Sequence, residues 1–117
     1  MKVLIVDDNS MMRDVLRMFL EQFKHEVVGE AEDGKSAVKA FAELRPELVL
    51  LDLVMPGTTG LEVLDNIRKL DPAAKVIIVS AVEQPEITRQ VIEHGAAAIL
   101  QKPISSDELV EAMKRLP

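Results

Sequence analysis

Val3-Leu4-Ile5-Val6-Asp7-Asp8-Asn9-Ser10 holds a strand, its end and a helix cap in eight residues. The four apolar residues offer both faces to a core, and the two carboxylates end the run. Asn9 or Ser10 then caps a helix whose apolar side is Met12, Val15, Leu16, Phe19, Leu20 and Phe23, spaced i, i+3, i+4 and i+7. The same strand-then-helix unit recurs down the chain. Apolar runs stand at Val27–Val28, Leu48–Leu51, Val76–Val79 and Ile99–Leu100. Helical spacing returns in Ala37, Val38, Phe41 and Ala42 with Leu44, then in Leu61, Leu64, Ile67 and Leu70, and last in Leu109, Val110 and Met113.

The punctuation agrees. Pro46 follows the second helix, Asp71-Pro72 ends the third, and Gln84-Pro85-Glu86 opens the fourth, which Gly95 closes. Ser105-Ser106-Asp107-Glu108 is a capping stretch ahead of the fifth. Strands that are apolar on both faces and alternate with helices require a parallel sheet covered on both sides. Five such units fill residues 1–117 as one domain, with no linker, repeat or low-complexity segment. The expected class is α/β, a (βα)5 three-layer sandwich on a five-stranded parallel sheet.

Composition limits the function. A chain of 117 residues hides roughly two-thirds of its unfolded surface, so it needs no metal or disulfide staple. It has no cysteine, which excludes a disulfide framework, a zinc-thiolate site and a thiol nucleophile. A net charge of −6 argues against direct nucleic-acid binding and against an anionic membrane surface. Only four apolar residues follow Lys2, too few for a signal-peptide core, and no apolar run is long enough for a membrane span. The expected location is cytoplasmic.

Each informative polar residue stands where an apolar strand ends: Asp7 and Asp8, Asp52, Ser80, and Lys102 with Pro103. In a doubly wound sheet those ends share one edge, where ligands bind. With the first and third strands adjacent, Asp7, Asp8 and Asp52 converge, flanked by Ser80 and Lys102. Three carboxylates in one crevice repel, so one would be protonated or a cation must be bound. Hard oxygen ligands with room for water suit Mg²⁺. An Asp carboxylate is a competent nucleophile for a phosphoryl group, and a lysine and a hydroxyl are suited to its oxygens.

The chain resembles the receiver domain of two-component response regulators, most closely the chemotaxis regulators of the CheY type. The resemblance spans the whole chain. It rests on Val6-Asp7-Asp8, on Leu51-Asp52-Leu53-Val54-Met55-Pro56-Gly57-Thr58-Thr59-Gly60, on Val79-Ser80-Ala81, and on Lys102-Pro103. It implies a flavodoxin-like fold of strand order 2-1-3-4-5. It also implies that Asp52 accepts a phosphoryl group from the phosphohistidine of a sensor histidine kinase. Asp8 and Asp52 would hold Mg²⁺ directly, Asp7 through water, and the Val54 carbonyl would complete the set. Ser80 and Lys102 would contact the phosphoryl group, and the Lys102-Pro103 bond would be cis. The implied output is a face of the fourth helix, fifth strand and fifth helix, met by a downstream target protein or a fused output domain. The implied assembly is a monomer or a phosphorylation-dependent dimer. Such a protein catalyses only its own phosphorylation and dephosphorylation.

Three positions depart from the common receiver pattern. Ile99 stands where an aromatic residue is frequent, and Val54 and Val82 stand where polar residues modulate loss of the phosphate. Ile87, Val91 and Ile104 are expected to be exposed and to give the output face its apolar character. A haloacid-dehalogenase-like phosphatase would need a second Asp at position 54, which is Val54, and a cap or a longer chain. A degenerate receiver limited to protein contacts would not need the full set of phosphorylation residues. His25 and His94 lack metal-ligand spacing and read as solvated or helix-end residues. Met11, Met12, Met18 and Met113 read as core or interface filler, and Gly57-Thr58-Thr59-Gly60 as a tight turn.

Overall fold

Alternate residues of a strand point to opposite faces, so a strand apolar throughout must be covered twice. The computed structural model describes residues 1–81 and 84–117; Val82, one of the departures above, lies outside the described residues. The elements run β1 (Lys2–Val6), α1 (Ser10–Gln22), β2 (Glu26–Ala31), α2 (Gly34–Leu44), β3 (Leu48–Leu51), β4 (Val54–Met55), β5 (Thr58–Thr59), α3 (Gly60–Leu70), β6 (Lys75–Ser80), α4 (Pro85–Glu93), β7 (Ala98–Gln101) and α5 (Ser106–Lys114). Five strands form one parallel sheet in the order β2-β1-β3-β6-β7. With β6 and β7 as its fourth and fifth strands, this is the expected 2-1-3-4-5 order. The sequence reading missed the two-residue strands β4 and β5. They pair antiparallel across the turn at Gly57, whose φ of 83° favours glycine.

The two cores follow the strand alternation. Leu4, Val6, Val49, Leu51, Val76 and Ile78 face α2, α3 and α4, where Phe41, Leu64, Ile67 and Val91 meet them. Val3, Ile5, Leu48, Leu50, Ile77 and Val79 face α1 and α5, against Leu16, Leu20, Leu109 and Met113. Burial of each such side chain stabilises the fold by about 1.5–3 kcal/mol, so β1, β3 and β6 anchor the sheet. The edge strands depart from the expectation of two apolar faces. β2 is exposed at Glu26 and Glu30 and fully buried only at Ala31, and β7 is half-buried. An edge strand has a neighbour on one side only.

The helix ends fall close to where the punctuation puts them. Asn9 accepts the Met12 N–H at 3.2 Å and caps α1. Ser105 and Glu108 form a reciprocal capping box on α5, and Gly95 leaves α4 with φ 103°. Thr59 caps α3 through the Glu62 N–H. Two expectations about apolar side chains fail. Val91 and Ile104 belong to the core, Ile87 is half-buried, and Ile92 is exposed; α4 turns its Val91 side toward the sheet. Met113 and Met12 pack as expected, but Met11 and Met18 are exposed.

Gly60 is where the fold presses hardest on the β3 end. A Cβ there would lie 2.6 Å from Leu53 Cα and 2.9 Å from the Asp52 carbonyl oxygen. Gly-to-Ala in an unstrained position stabilises by about 0.4–1 kcal/mol, but overpacking costs about 1–3 kcal/mol. Backbone cannot rotate out of the way, so the clash outweighs the gain. Gly60→Ala is expected to lower the urea midpoint and to shift the amide resonances of Asp52 and Leu53. An unchanged midpoint would show that the loop has slack.

Candidate functional site

The acidic pocket is built by backbone register. β1 and β3 are neighbours with Val6 opposite Leu51, so the residues after each strand arrive side by side. The Asp52 N–H donates to the Val6 carbonyl at 2.9 Å, and the Asp7 N–H to the Ala31 carbonyl at 3.0 Å. Asp7 is wholly buried, Asp52 is 6% exposed and Asp8 is open to solvent. One carboxylate oxygen from each lies within 4.8 Å of those of the other two.

Lys102 reaches this cluster from the end of β7. Its Nζ lies 2.9 Å from Asp7 Oδ2 and 3.6 Å from Asp52 Oδ2. Its backbone N–H donates to the Ser80 carbonyl at 2.9 Å, which ties the ends of β6 and β7 together. The Ser80 side chain is buried at the C-terminal end of β6. The Lys102-Pro103 peptide is cis. Asp7 Oδ1 accepts the Asn9 N–H at 2.9 Å, and Asp52 Oδ1 accepts the Val54 N–H at 3.3 Å. Val54 itself is 61% exposed and stands beside Asp52 as an apolar rim.

Burial pushes the Asp52 carboxyl above its usual range, with smaller upward contributions from Asp7 and Asp8. Lys102 and the Val54 N–H pull the other way without cancelling the shift. The pocket therefore holds more negative charge than Lys102 alone balances. Hard carboxylate oxygens this close together, with one arm open to water, fit a small divalent cation such as Mg²⁺.

All five residues singled out at the strand ends meet at this edge. The two histidines do not. His25 lies in the α1–β2 turn with its Nδ1 3.2 Å from the chain's amino group. His94, at the end of α4, has its Nδ1 2.7 Å from Asp65 Oδ1 of α3, a hydrogen-bond partner that the sequence reading did not anticipate. Arg13 was also missed. It sits on α1, donates to the Asp7 carbonyl and pairs with Glu30. Its only sequence signal is the i, i+4 spacing to Arg17, which is common on solvated helix faces.

A sequence profile of the response regulator receiver domain matches residues 3–114. The chain is 41% identical to the chemotaxis protein CheY of Listeria monocytogenes, over 98% of this chain and 97% of that protein. The response regulator domain of Thermotoga maritima CheB superposes with a TM-score of 0.92 at 34% identity, covering 99% of this chain and 95% of that one. The CheX-CheY-BeF3-Mg complex of Borrelia burgdorferi gives 0.93 at 27% identity, covering 96% and 85%.

The raised Asp52 carboxyl predicts how stability varies with pH. Without metal, the folded protein holds this proton more tightly than the unfolded chain does. The favourable contribution is complete below the unfolded carboxyl pKa and falls as pH rises toward the folded value. Above both, the buried charge is a standing cost. Asp52→Asn is thus expected to raise Tm by a few °C at pH 7 without Mg²⁺, and to lose that advantage below about pH 4. A lower Tm for this variant at pH 7 would contradict the assignment.

Proposed function

The chain belongs to the response regulator receiver domain family, and from that premise we propose that it is a phosphorylation switch with Asp52 as phosphoacceptor. The observation that carries this reading is the meeting of three carboxylates within 4.8 Å, with Lys102 Nζ between Asp7 and Asp52. Asp8 and Asp52 would hold Mg²⁺ directly and Asp7 through water, with the Val54 carbonyl as a further ligand. Bound there, Mg²⁺ supplies the positive charge that offsets both the carboxylates and the phosphoryl oxygens.

The chain's own groups divide the remaining work. An Asp52 carboxylate oxygen attacks phosphorus, the P–N bond of the donor phosphohistidine breaks, and the imidazole leaves with its electron pair. The Val54 N–H fixes the Asp52 oxygen it bonds to, leaving the other oxygen, on the Lys102 side, as the nucleophile. Lys102 exchanges part of its contact with Asp7 for a phosphoryl oxygen. Ser80 hydrogen-bonds another as the switch closes. Hydrolysis returns the carboxylate and inorganic phosphate, so the protein turns over only its own phosphate.

A sensor histidine kinase is the phosphodonor in this reading. The output face comprises α4, β7 and α5, met by a target protein, a fused output domain or a second copy. Residues 1–117 act as one domain in the cytoplasm, without direct contact to nucleic acid or membrane. Among the described residues, no helix is long and apolar enough to cross a membrane. Ile99 packs against the α4-side core, and its β-branched side chain cannot make the large rotation open to an aromatic ring. The switch is then a small rearrangement between Ser80 and Lys102.

Acetyl phosphate with Mg²⁺ is expected to give one hydroxylamine-sensitive phosphate per chain, absent in Asp52→Asn and reduced in Asp8→Ala at limiting Mg²⁺. Label retained in Asp52→Asn would remove the central assignment, and repeated turnover of phosphomonoesters would favour a phosphatase. Val54 offers no side-chain donor or acceptor to line up water. The phosphate should therefore outlast seconds, and Val54→Asn should shorten its life.

A further inference from the structure

The Asp7–Asp8 corner is held from outside the acidic pocket. Arg13, in the second turn of α1, donates through Nη1 to the Asp7 carbonyl oxygen at 2.5 Å. Its Nε donates to Glu30 Oε1 at 3.0 Å, near the end of β2. The other Glu30 oxygen accepts from both Nε and Nη2 of Arg17, one turn further along α1. Hydrogen bonding from Arg17 keeps the Glu30 carboxyl below its usual range, so it stays charged at neutral pH. The Arg13 side chain is only 15% exposed. Arg13 alone touches the backbone oxygen, and Glu30, itself gripped by Arg17, holds Arg13 in place.

That oxygen is well chosen. The Asp7 carbonyl and the Asp8 N–H belong to one planar peptide. Gripping the oxygen therefore sets the direction in which Asp8 leaves the chain. Asp7 needs little of this help: its N–H is bonded to Ala31, and its carboxylate to Asn9 and Lys102. Asp8 does need it. Its carboxylate is exposed and has no hydrogen-bond partner among the described residues.

We propose that Arg13 is a positioning residue for the cation pocket: held by Glu30, which Arg17 grips in turn, it orients the Asp7–Asp8 peptide so that Asp8 presents its carboxylate beside Asp7 and Asp52. This rests on the reading of those three carboxylates as the Mg²⁺ site. The fork matters because one nitrogen must bond the carbonyl while another bonds Glu30. A lysine supplies the charge but cannot hold both partners at these separations.

The sign of one measurement separates positioning from charge. A cation near a Mg²⁺ site repels the metal, so if charge alone mattered, removing Arg13 would tighten Mg²⁺ binding. Positioning requires the opposite. Mg²⁺ affinity is read from amide-resonance titration, because the chain has no Trp or Tyr to report by fluorescence. Urea unfolding followed by circular dichroism reports stability on the same samples. Arg13→Met and Arg13→Lys are expected to bind Mg²⁺ about tenfold more weakly, and Glu30→Gln a few-fold more weakly. Acetyl-phosphate labelling of all three should return to within about twofold of wild type at saturating Mg²⁺.

Equal or tighter Mg²⁺ binding by folded Arg13→Met overturns the inference, as does wild-type affinity in Arg13→Lys. A loss of stability with unchanged affinity would reduce the cluster to a clamp between α1 and β2, and overturns it too. Should Arg13→Met fail to fold, Glu30→Gln decides, and unchanged affinity there is the overturning result. A wild-type chain whose resonances ignore Mg²⁺ would instead sink the reading of the pocket itself.

Discussion

The Asp52 N–H bonded to the Val6 carbonyl is the contact on which the site depends. It extends the β1–β3 pairing by one step beyond the last apolar residues, and so places the acidic end of one strand against that of another. A parallel sheet brings all its strand ends to one edge, and this register puts Asp7 and Asp52 at the same height there. The apolar sandwich on either side keeps Asp7 and Asp52 from water. Carboxylates so placed repel one another and are poorly hydrated. Lys102, from the far edge strand, is the cation that makes the arrangement tolerable.

The rest of the architecture keeps that edge in place. Gly60 lets α3 start against the backbone of Leu53, and the β4–β5 hairpin carries the chain from Asp52 to that start. The bond from Lys102 to the Ser80 carbonyl couples the cation to the strand that carries the hydroxyl. Arg13 closes the opposite flank through Glu30. Charge held in this way costs stability, and on the proposed reading a bound cation would relieve it. Buried, crowded charge of this kind is common at functional sites.

Much of this was legible in the chain. The four-residue Val, Ile and Leu runs of β1, β3 and β6 specify buried strands, whereas the two-residue runs of β2 and β7 belong to half-covered edges. The i, i+3, i+4 spacing specifies helices. The polar residues at strand ends stood out because they interrupt runs that could not otherwise tolerate a carboxylate. Less legible was the phase of short helices. Ile87, Val91 and Ile92 on nine-residue α4 allow more than one buried face, and packing against the sheet buried Val91 while Ile92 stayed exposed. The two-residue hairpin was invisible, since neither strand is long enough to show a period.

Local patterning therefore decided which segments are strands and helices, and which acidic, hydroxyl and basic residues stand at strand ends. Those properties follow from side-chain spacing and composition over a few residues. Tertiary structure alone decided which oxygen meets which nitrogen. Lys102 pairs with Asp7 across 95 positions of sequence, His94 with Asp65 across 29, and Arg13 with Glu30 across 17. Such contacts depend on strand order, helix phase and side-chain reach together, and spacing along the chain carries none of the three.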